Sequence, residues 1–166
     1  KQTALLYDYI DSLKNVIVKK ADGKDGDVNN IEHQDDLEAA SYIMLSPAQK
    51  QGMKLRKGID DYRNLIGSLM TDSIKRAAIE NYLSTTIHSG NRTQAPSMWE
   101  TTLFENMPVI AAVTILTKIQ SDVRYAESEA LHTLINNIDE GDVRVNQLNA
   151  FVIPNSKNIM RGGKYI

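Results

Sequence analysis

Once Pro108 has passed, nothing from there to about Asn137 breaks a helix, and this uninterrupted stretch constrains the chain more than any other feature. Asn106 and Pro108 mark its start, because proline suits the first helical turn, where its missing N–H would find no partner anyway. Roughly 30 residues at 1.5 Å each span about 45 Å, longer than the usual helix of a compact domain. Such a helix is a spine along which the rest must pack. Its first part, FENMPVIAAVTILTKIQ (104–120), has Thr114 as the only polar side chain between Met107 and Leu116. Val109, Ile110, Ala112, Val113, Ile115, Leu116 and Ile119 spread apolar surface almost all round the helix, so it must be covered almost all round. Farther on the apolar positions narrow to Val123, Ala126, Ala130, Leu134 and Ile138 among charges. The run is too short to cross a bilayer, which takes about 20 apolar residues.

Covering that spine requires other helices, and the first hundred residues supply them. Residues 3–18 set Leu5, Leu6, Tyr9, Ile10, Leu13, Val16 and Ile17 on a helical stripe, which ADGKDGD ends. Residues 21–36 are polar and glycine-punctuated, and read as a loop. Ser46-Pro47 offers an N-cap with proline at the first helical position. Downstream, Leu55, Ile59, Tyr62, Ile66 and Leu69 recur at spacings suited to coiled-coil-like packing. Thr71-Asp72-Ser73 can cap a further helix through Ile74, Ala78, Tyr82 and on to Ile87, before SGNRTQAPS breaks the pattern. Ser97 with Glu100 forms a capping box for a short helix carrying Met98, Trp99 and Leu103. Because several seams compete for partners, a second copy of the chain is the expected cover for Val109–Ile119.

After IDEGDVR the pattern changes. Residues 145–153, VNQLNAFVI, alternate in side-chain character, and PNS and GGKYI follow. Strand, turn, strand is the natural reading. Two strands do not make a stable sheet, so these residues read as the opening of a β domain. The expected architecture is mainly α: a helical bundle over residues 1–140 with one long spine helix, then a linker and first strands of a truncated β domain over 141–166.

Chemistry-bearing motifs are sparse. Net charge is −2 and Lys and Arg are scattered, which argues against a nucleic-acid partner. The absence of cysteine removes disulfides and thiolate metal sites and leaves the compartment open. With Lys1 first and no signal pattern, the chain reads like a segment whose targeting or anchoring region lies outside it. The acidic loop 25–36 places Asp25, Asp27 and Asn29 at calcium-loop positions 1, 3 and 5. However, Asn30, Glu32 and Asp36 stand where glycine, an apolar residue and a bidentate glutamate belong, so a solvated loop is expected. Glu129 and His132 form one Glu-x-x-His pair, whereas a bundle di-metal site needs two such pairs and two more glutamates. His33, His88 and His132 are far apart, with no nucleophile motif or phosphate loop, so no catalytic set, metal or cofactor is expected. Asp60-Asp61 and Asp35-Asp36 read as solvated surface. Trp99 and Phe104 read as buried anchors, and Met44, Met53, Met70 and Met107 as core fillers.

Two longer stretches carry a resemblance. MWETTLFENMPVIAAVTILTKIQSDVRYAE (98–127) and NAFVIPNSKNIMRGGKY (149–165), with the helical layout before them, resemble the GldM/PorM family of the type IX secretion and gliding-motility machinery. The resemblance implies a periplasmic helical domain, anchored to the inner membrane by a helix outside this sequence and followed by β domains. It also implies a homodimer, a GldL/PorL-type motor partner in the inner membrane, and periplasmic GldK/PorK- and GldN/PorN-type ring proteins. No enzyme activity follows from it. The residues expected to carry the role are packing residues: Trp99, Phe104, Val109, Val113, Leu116, Ile119 and Val123 around the spine, and Leu55, Ile59, Tyr62, Ile66 and Leu69 on the facing seam. The rival reading is the helical ectodomain of a membrane sensor with a small ligand between its helices, which would need a closed pocket with convergent Arg or Asn groups.

Overall fold

The N-terminal stripe becomes helix α1, Gln2–Asp22, in a computed structural model that describes residues 1–87 and 98–145, with side chains as far as Ile138. Gly23 ends α1 at φ 92°, a left-handed conformation that glycine adopts without steric penalty. Five more helices follow: α2 (Glu38–Leu45), α3 (Gln51–Leu69), α4 (Ser73–Tyr82), α5 (Trp99–Phe104) and α6 (Val109–Val145). Among the described residues there is no strand, and the fold is mainly α. The chain divides into one compact unit, Lys1–Leu134, and a second, Ile135–Ile166, of which only the end of α6 is described. The expected strands between 146 and 166 lie outside the described residues, as do SGNRTQAP and Ser97.

One apolar core fills the first unit. Ile10, Ile17 and Val18 of α1, Leu55 of α3, Phe104 of α5, and Val109, Leu116 and Val123 of α6 are all fully buried in it. The face of α1 that turns inward is Thr3, Leu6, Ile10, Leu13, Ile17 and Val18, while Leu5 and Val16 stay exposed. The inward stripe is thus narrower than the run of apolar letters, because the partners α2 and α3 sit on one side of α1.

Several boundaries differ from the sequence reading, each for a tertiary reason. Residues 38–45 form α2, which the sequence reading left without an element. Its Ala39, Ala40, Ile43 and Met44 are buried, and the Asp36 carboxylate caps it by accepting from the Glu38 and Ala39 N–H groups at 2.8 Å each. Asp36 is therefore a cap rather than solvated surface. Ser46 is not an N-cap; its N–H closes α2 on the Tyr42 carbonyl, and α3 begins only after Lys50, at φ 50°. Leu69 is 37% exposed, and Met70, just past the end of α3, turns into the core instead. On α4, Ile74, Ala78 and Tyr82 face out and Ile79 faces in, followed by buried Leu83 beyond the helix end. Asp72 caps α4 as its position suggests, accepting from Ile74 N–H at 2.8 Å. Met44 and Met70 are buried, but Met53 is exposed. The long helix continues past Asn137 to Val145.

Gly52 marks a close approach in this bundle. A Cβ at that position would lie 2.7 Å from Glu100 Cβ and 2.9 Å from the Met44 carbonyl oxygen, so α2, α3 and α5 meet where only hydrogen fits. Gly52→Ala is expected to destabilise the unit by roughly 1–3 kcal/mol through overpacking, although alanine is the better helix former by about 1 kcal/mol. A lower urea midpoint with an unchanged slope reports this; a midpoint at or above the wild type shows the bundle can open there without cost.

Candidate functional site: the spine helix and its seats

A helix N-terminus leaves four N–H groups without intrahelical partners. Two of those of α6 are met by the loop before α2. Val109 N–H donates to the Asp36 carbonyl at 3.0 Å and Ile110 N–H to the Gln34 carbonyl at 3.2 Å. The preceding turn is tied to α2, since Asn106 N–H donates to Ser41 Oγ at 2.9 Å and Ser41 Oγ donates to the Phe104 carbonyl at 2.9 Å. Asn106 adopts φ 51°, which asparagine tolerates better than most side chains.

Along its length α6 is seated by polar contacts set into apolar packing. Buried Gln120 donates from Nε2 to the Tyr7 carbonyl at 3.1 Å, joining α6 to α1. The Tyr62 hydroxyl of α3 donates to the Val123 carbonyl at 3.2 Å and lies 3.1 Å from Thr3 Oγ1, so one phenol links α1, α3 and α6. Burial, more than its hydrogen bond to Thr3, decides the Tyr62 hydroxyl's pKa and raises it above the ordinary tyrosine value. Farther down, Thr133 Oγ1 meets Met70 Sδ at 3.4 Å, Tyr125 packs edge-on against Tyr82 with centroids 5.1 Å apart, and Lys75 approaches Glu129 at 3.9 Å. Arg124 lies 4.5 Å over the Tyr7 ring.

The residues expected to carry the packing role fall as follows. Trp99, Phe104, Val109, Val113, Leu116, Ile119 and Val123 are buried within the single chain, as are Leu55, Ile59, Tyr62 and Ile66, whereas Leu69 is not. Trp99 and Phe104 form a T-shaped pair with centroids 6.3 Å apart. Ile110 is exposed on the apolar run, while Val109, Ala112, Val113, Leu116 and Ile119 are buried in the core cluster of the chain. Beyond the core, Leu131 and Leu134 at the end of the first unit are exposed, and so are Ile135 and Ile138 of the second.

The Ser97 half of the expected capping box lies outside the described residues, and Glu100 itself sits in the core: its side chain is 4% exposed and its Oε2 lies 3.1 Å from Arg56 Nη1 of α3. That ion pair is the contact Glu100 keeps, for neither carboxylate oxygen has a hydrogen-bond partner of good geometry among the described residues. Gln120, Thr133 and Glu100 were missed as packing residues. For Gln120 and Thr133 the signal was present, since they fall in phase with Leu116, Val123 and Ala130; for Glu100 none was.

The acidic loop is organised around Asp22 rather than around Asp25, Asp27 and Asn29. Asp22 accepts from Glu32 N–H, His33 N–H and the His33 ring at 2.8–2.9 Å. Asp27 turns back to its own loop, accepting from Asn29 N–H at 2.9 Å. The Glu32 N–H above all, with the His33 contacts, holds the Asp22 carboxyl below its ordinary value against the effect of burial. Glu129 pairs with Lys75, and His132 is exposed. Asp60 is not free surface either: it accepts from Thr85 Oγ1 at 2.6 Å and pairs with Arg63 at 3.0 Å. Among the described residues no three His, Asp or Glu side chains are grouped to hold a metal.

Comparison with curated proteins gives no match. No helix among the described residues is long and apolar enough to cross a membrane. The family model of the GldM N-terminal domain, by contrast, matches residues 1–137, which takes in α1 to α5 and most of α6. With the mainly helical fold seen here, this match means that the chain belongs to the GldM N-terminal domain family and is a component of gliding-motility and type IX secretion machinery.

Proposed function

We propose that the chain is a periplasmic, dimeric, non-enzymatic domain that passes force or torque from an inner-membrane motor partner of the GldL/PorL type to periplasmic ring proteins of the GldK/PorK and GldN/PorN type. In this reading the helical domain spans residues 1–140, and residues 141–166 are a linker and the opening strands of a following β domain. The observation that carries it is α6, one helix of 37 residues that α1, α3, α4 and the loop before α2 grip by side-chain and backbone contacts. At 1.5 Å per residue it is roughly 55 Å long. Between Val109 and Thr133 the helix is held at many points and bends little, so displacement at one end of that span reaches the other. Exposed Leu131 and Leu134 of the first unit supply apolar surface for a second copy. The sensor reading finds less support, because the groove of about 520 Å³ between α1 and α3 is walled by Leu5, Leu6, Tyr9, Tyr62 and Leu65, with Asp61 as the charged side chain and no Arg or Asn.

Transmission through α6 is tested in cells by two insertions after Asn137. A seven-residue Gly/Ser insert breaks the rod. A seven-residue Ala/Glu/Lys insert lengthens it while rotating the far end by only about 20°. At equal protein abundance, gliding and secretion are expected to be lost with the first and largely kept with the second. Full activity with the flexible insert rejects transmission through α6. Light scattering of the same proteins, expected to give twice the chain mass, tests the dimer separately.

A further inference from the structure

We propose that the loop from Asp22 to Asp36 is a pH-responsive clamp: His33 closes it on Asp22, and the closed loop holds two backbone carbonyls over the start of α6. The clamp begins at the end of α1, where the Asp22 side chain is only 2% exposed while its partner His33 is 60% exposed. Asp22 Oδ2 accepts from Glu32 N–H at 2.9 Å, and Oδ1 accepts from His33 N–H at 2.8 Å with the His33 Nδ1 at 2.9 Å. Buried Ile31 pins the same segment into the core, and Gln34 Nε2 donates back to the Ile31 carbonyl at 3.2 Å. One and three residues beyond His33, the Gln34 and Asp36 carbonyls receive Ile110 and Val109 N–H, while the Asp36 carboxylate caps α2. Five residues thus connect the end of α1 to the starts of α2 and α6.

His33 is the proton-responsive part because it is open to solvent and surrounded by acid. Asp22 faces it from α1, and Glu32 and Asp35 face it from its own loop, all favouring the charged ring. Asp25 and Asp27 lie across the small cavity that Asp22 and Glu32 also line. The hydrogen bond to Asp22 is the main reason the ring's pKa rises above 6.5, with the three carboxylates adding to it. Charged His33 must donate from Nδ1. The neutral ring can shift its hydrogen to Nε2, which turns a lone pair on Nδ1 toward the carboxylate and loosens the clamp. A raised histidine pKa stabilises the closed loop fully below pH 6.5 and loses that contribution as pH rises through the higher folded value. A lowered Asp22 pKa contributes above pH 3.8 and is lost as pH falls through the lower folded value. The clamp is tightest between the two.

Nuclear magnetic resonance on the intact chain tests this. The His33 ring is expected to titrate with a midpoint above 6.5. Hydrogen-exchange protection at Val109 and Ile110 should fall severalfold as pH rises through that midpoint, while amides in the middle of α6 keep theirs. Asp22→Asn should bring the His33 midpoint down, and His33→Gln should make Val109 and Ile110 protection independent of pH in a folded chain. A wild-type midpoint at or below 6.5, or protection at those two amides that does not change across it, overturns the clamp.

Discussion

Leu116→Asp is expected to unfold the helical unit rather than release an intact monomer. Leu116 is fully buried in the core that α1 to α6 share within one chain. Its replacement gives up roughly 2–3 kcal/mol of side-chain burial and leaves a carboxylate with no cation beside it, which costs several kcal/mol more. Together these rival the 5–15 kcal/mol that typically holds a domain folded. Far-ultraviolet circular dichroism with urea titration should show no cooperative transition for Leu116→Asp. Ile110→Asp, an exposed position on the same apolar run, should keep one close to the wild type. A folded, monomeric Leu116→Asp chain is the outcome that sinks this view, since it places the cover of Leu116 in a second subunit.

The second large effect belongs to Arg56. Glu100 sits in α5 with 4% side-chain exposure, and among the described residues the Arg56 guanidinium, itself partly exposed, is the cation within ion-pair distance. Removing the cation leaves a buried, uncompensated carboxylate, so Arg56→Ala is expected to cost about 3–5 kcal/mol. Glu100→Gln in the same background should recover much of that loss, because an amide carries no charge to desolvate. The pair itself need not add net stability over apolar residues of the same size. Chemical denaturation of the two single variants and the double variant forms the cycle that separates these contributions. Independent, additive losses would show that Glu100 and Arg56 do not act as a pair.

Periodicity was a sound guide wherever one face of a helix had to be buried whatever its neighbours. The seam Leu55, Ile59, Tyr62 and Ile66 and the positions Val109, Val113, Leu116, Ile119 and Val123 lie in the core because their spacing leaves no other common face. The same logic misplaced Ile74 and Tyr82, since α4 has only ten residues and two apolar stripes of similar width, and contact with α3 selected the one containing Ile79. It also passed over α2, whose eight residues are too short to show a period and are helical because Ala39, Ala40, Ile43 and Met44 bury against α1, α3 and α5. Asp22, Asp36 and Asp60 each read as loop or surface acid, yet each accepts hydrogen bonds that hold elements together. The partners of Asp22 and Asp60 lie 10 to 25 residues away, where only the folded backbone brings them within reach, while Asp36 caps α2 locally.

By itself the sequence determined that this protein is built from helices and that one of them, free of Gly and Pro from Val109 to Glu140, is a long spine with an apolar first half. Those properties depend on local backbone preference and on the 3.6-residue period. The tertiary structure alone decided that Gln120 and Tyr62 brace the spine, that Glu100 is buried against Arg56, and that the carbonyls of Gln34 and Asp36 seat the first amides of α6. These contacts join residues from about 40 to more than 100 positions apart, and each exists because packing the apolar faces first brings the polar groups close enough to need one another.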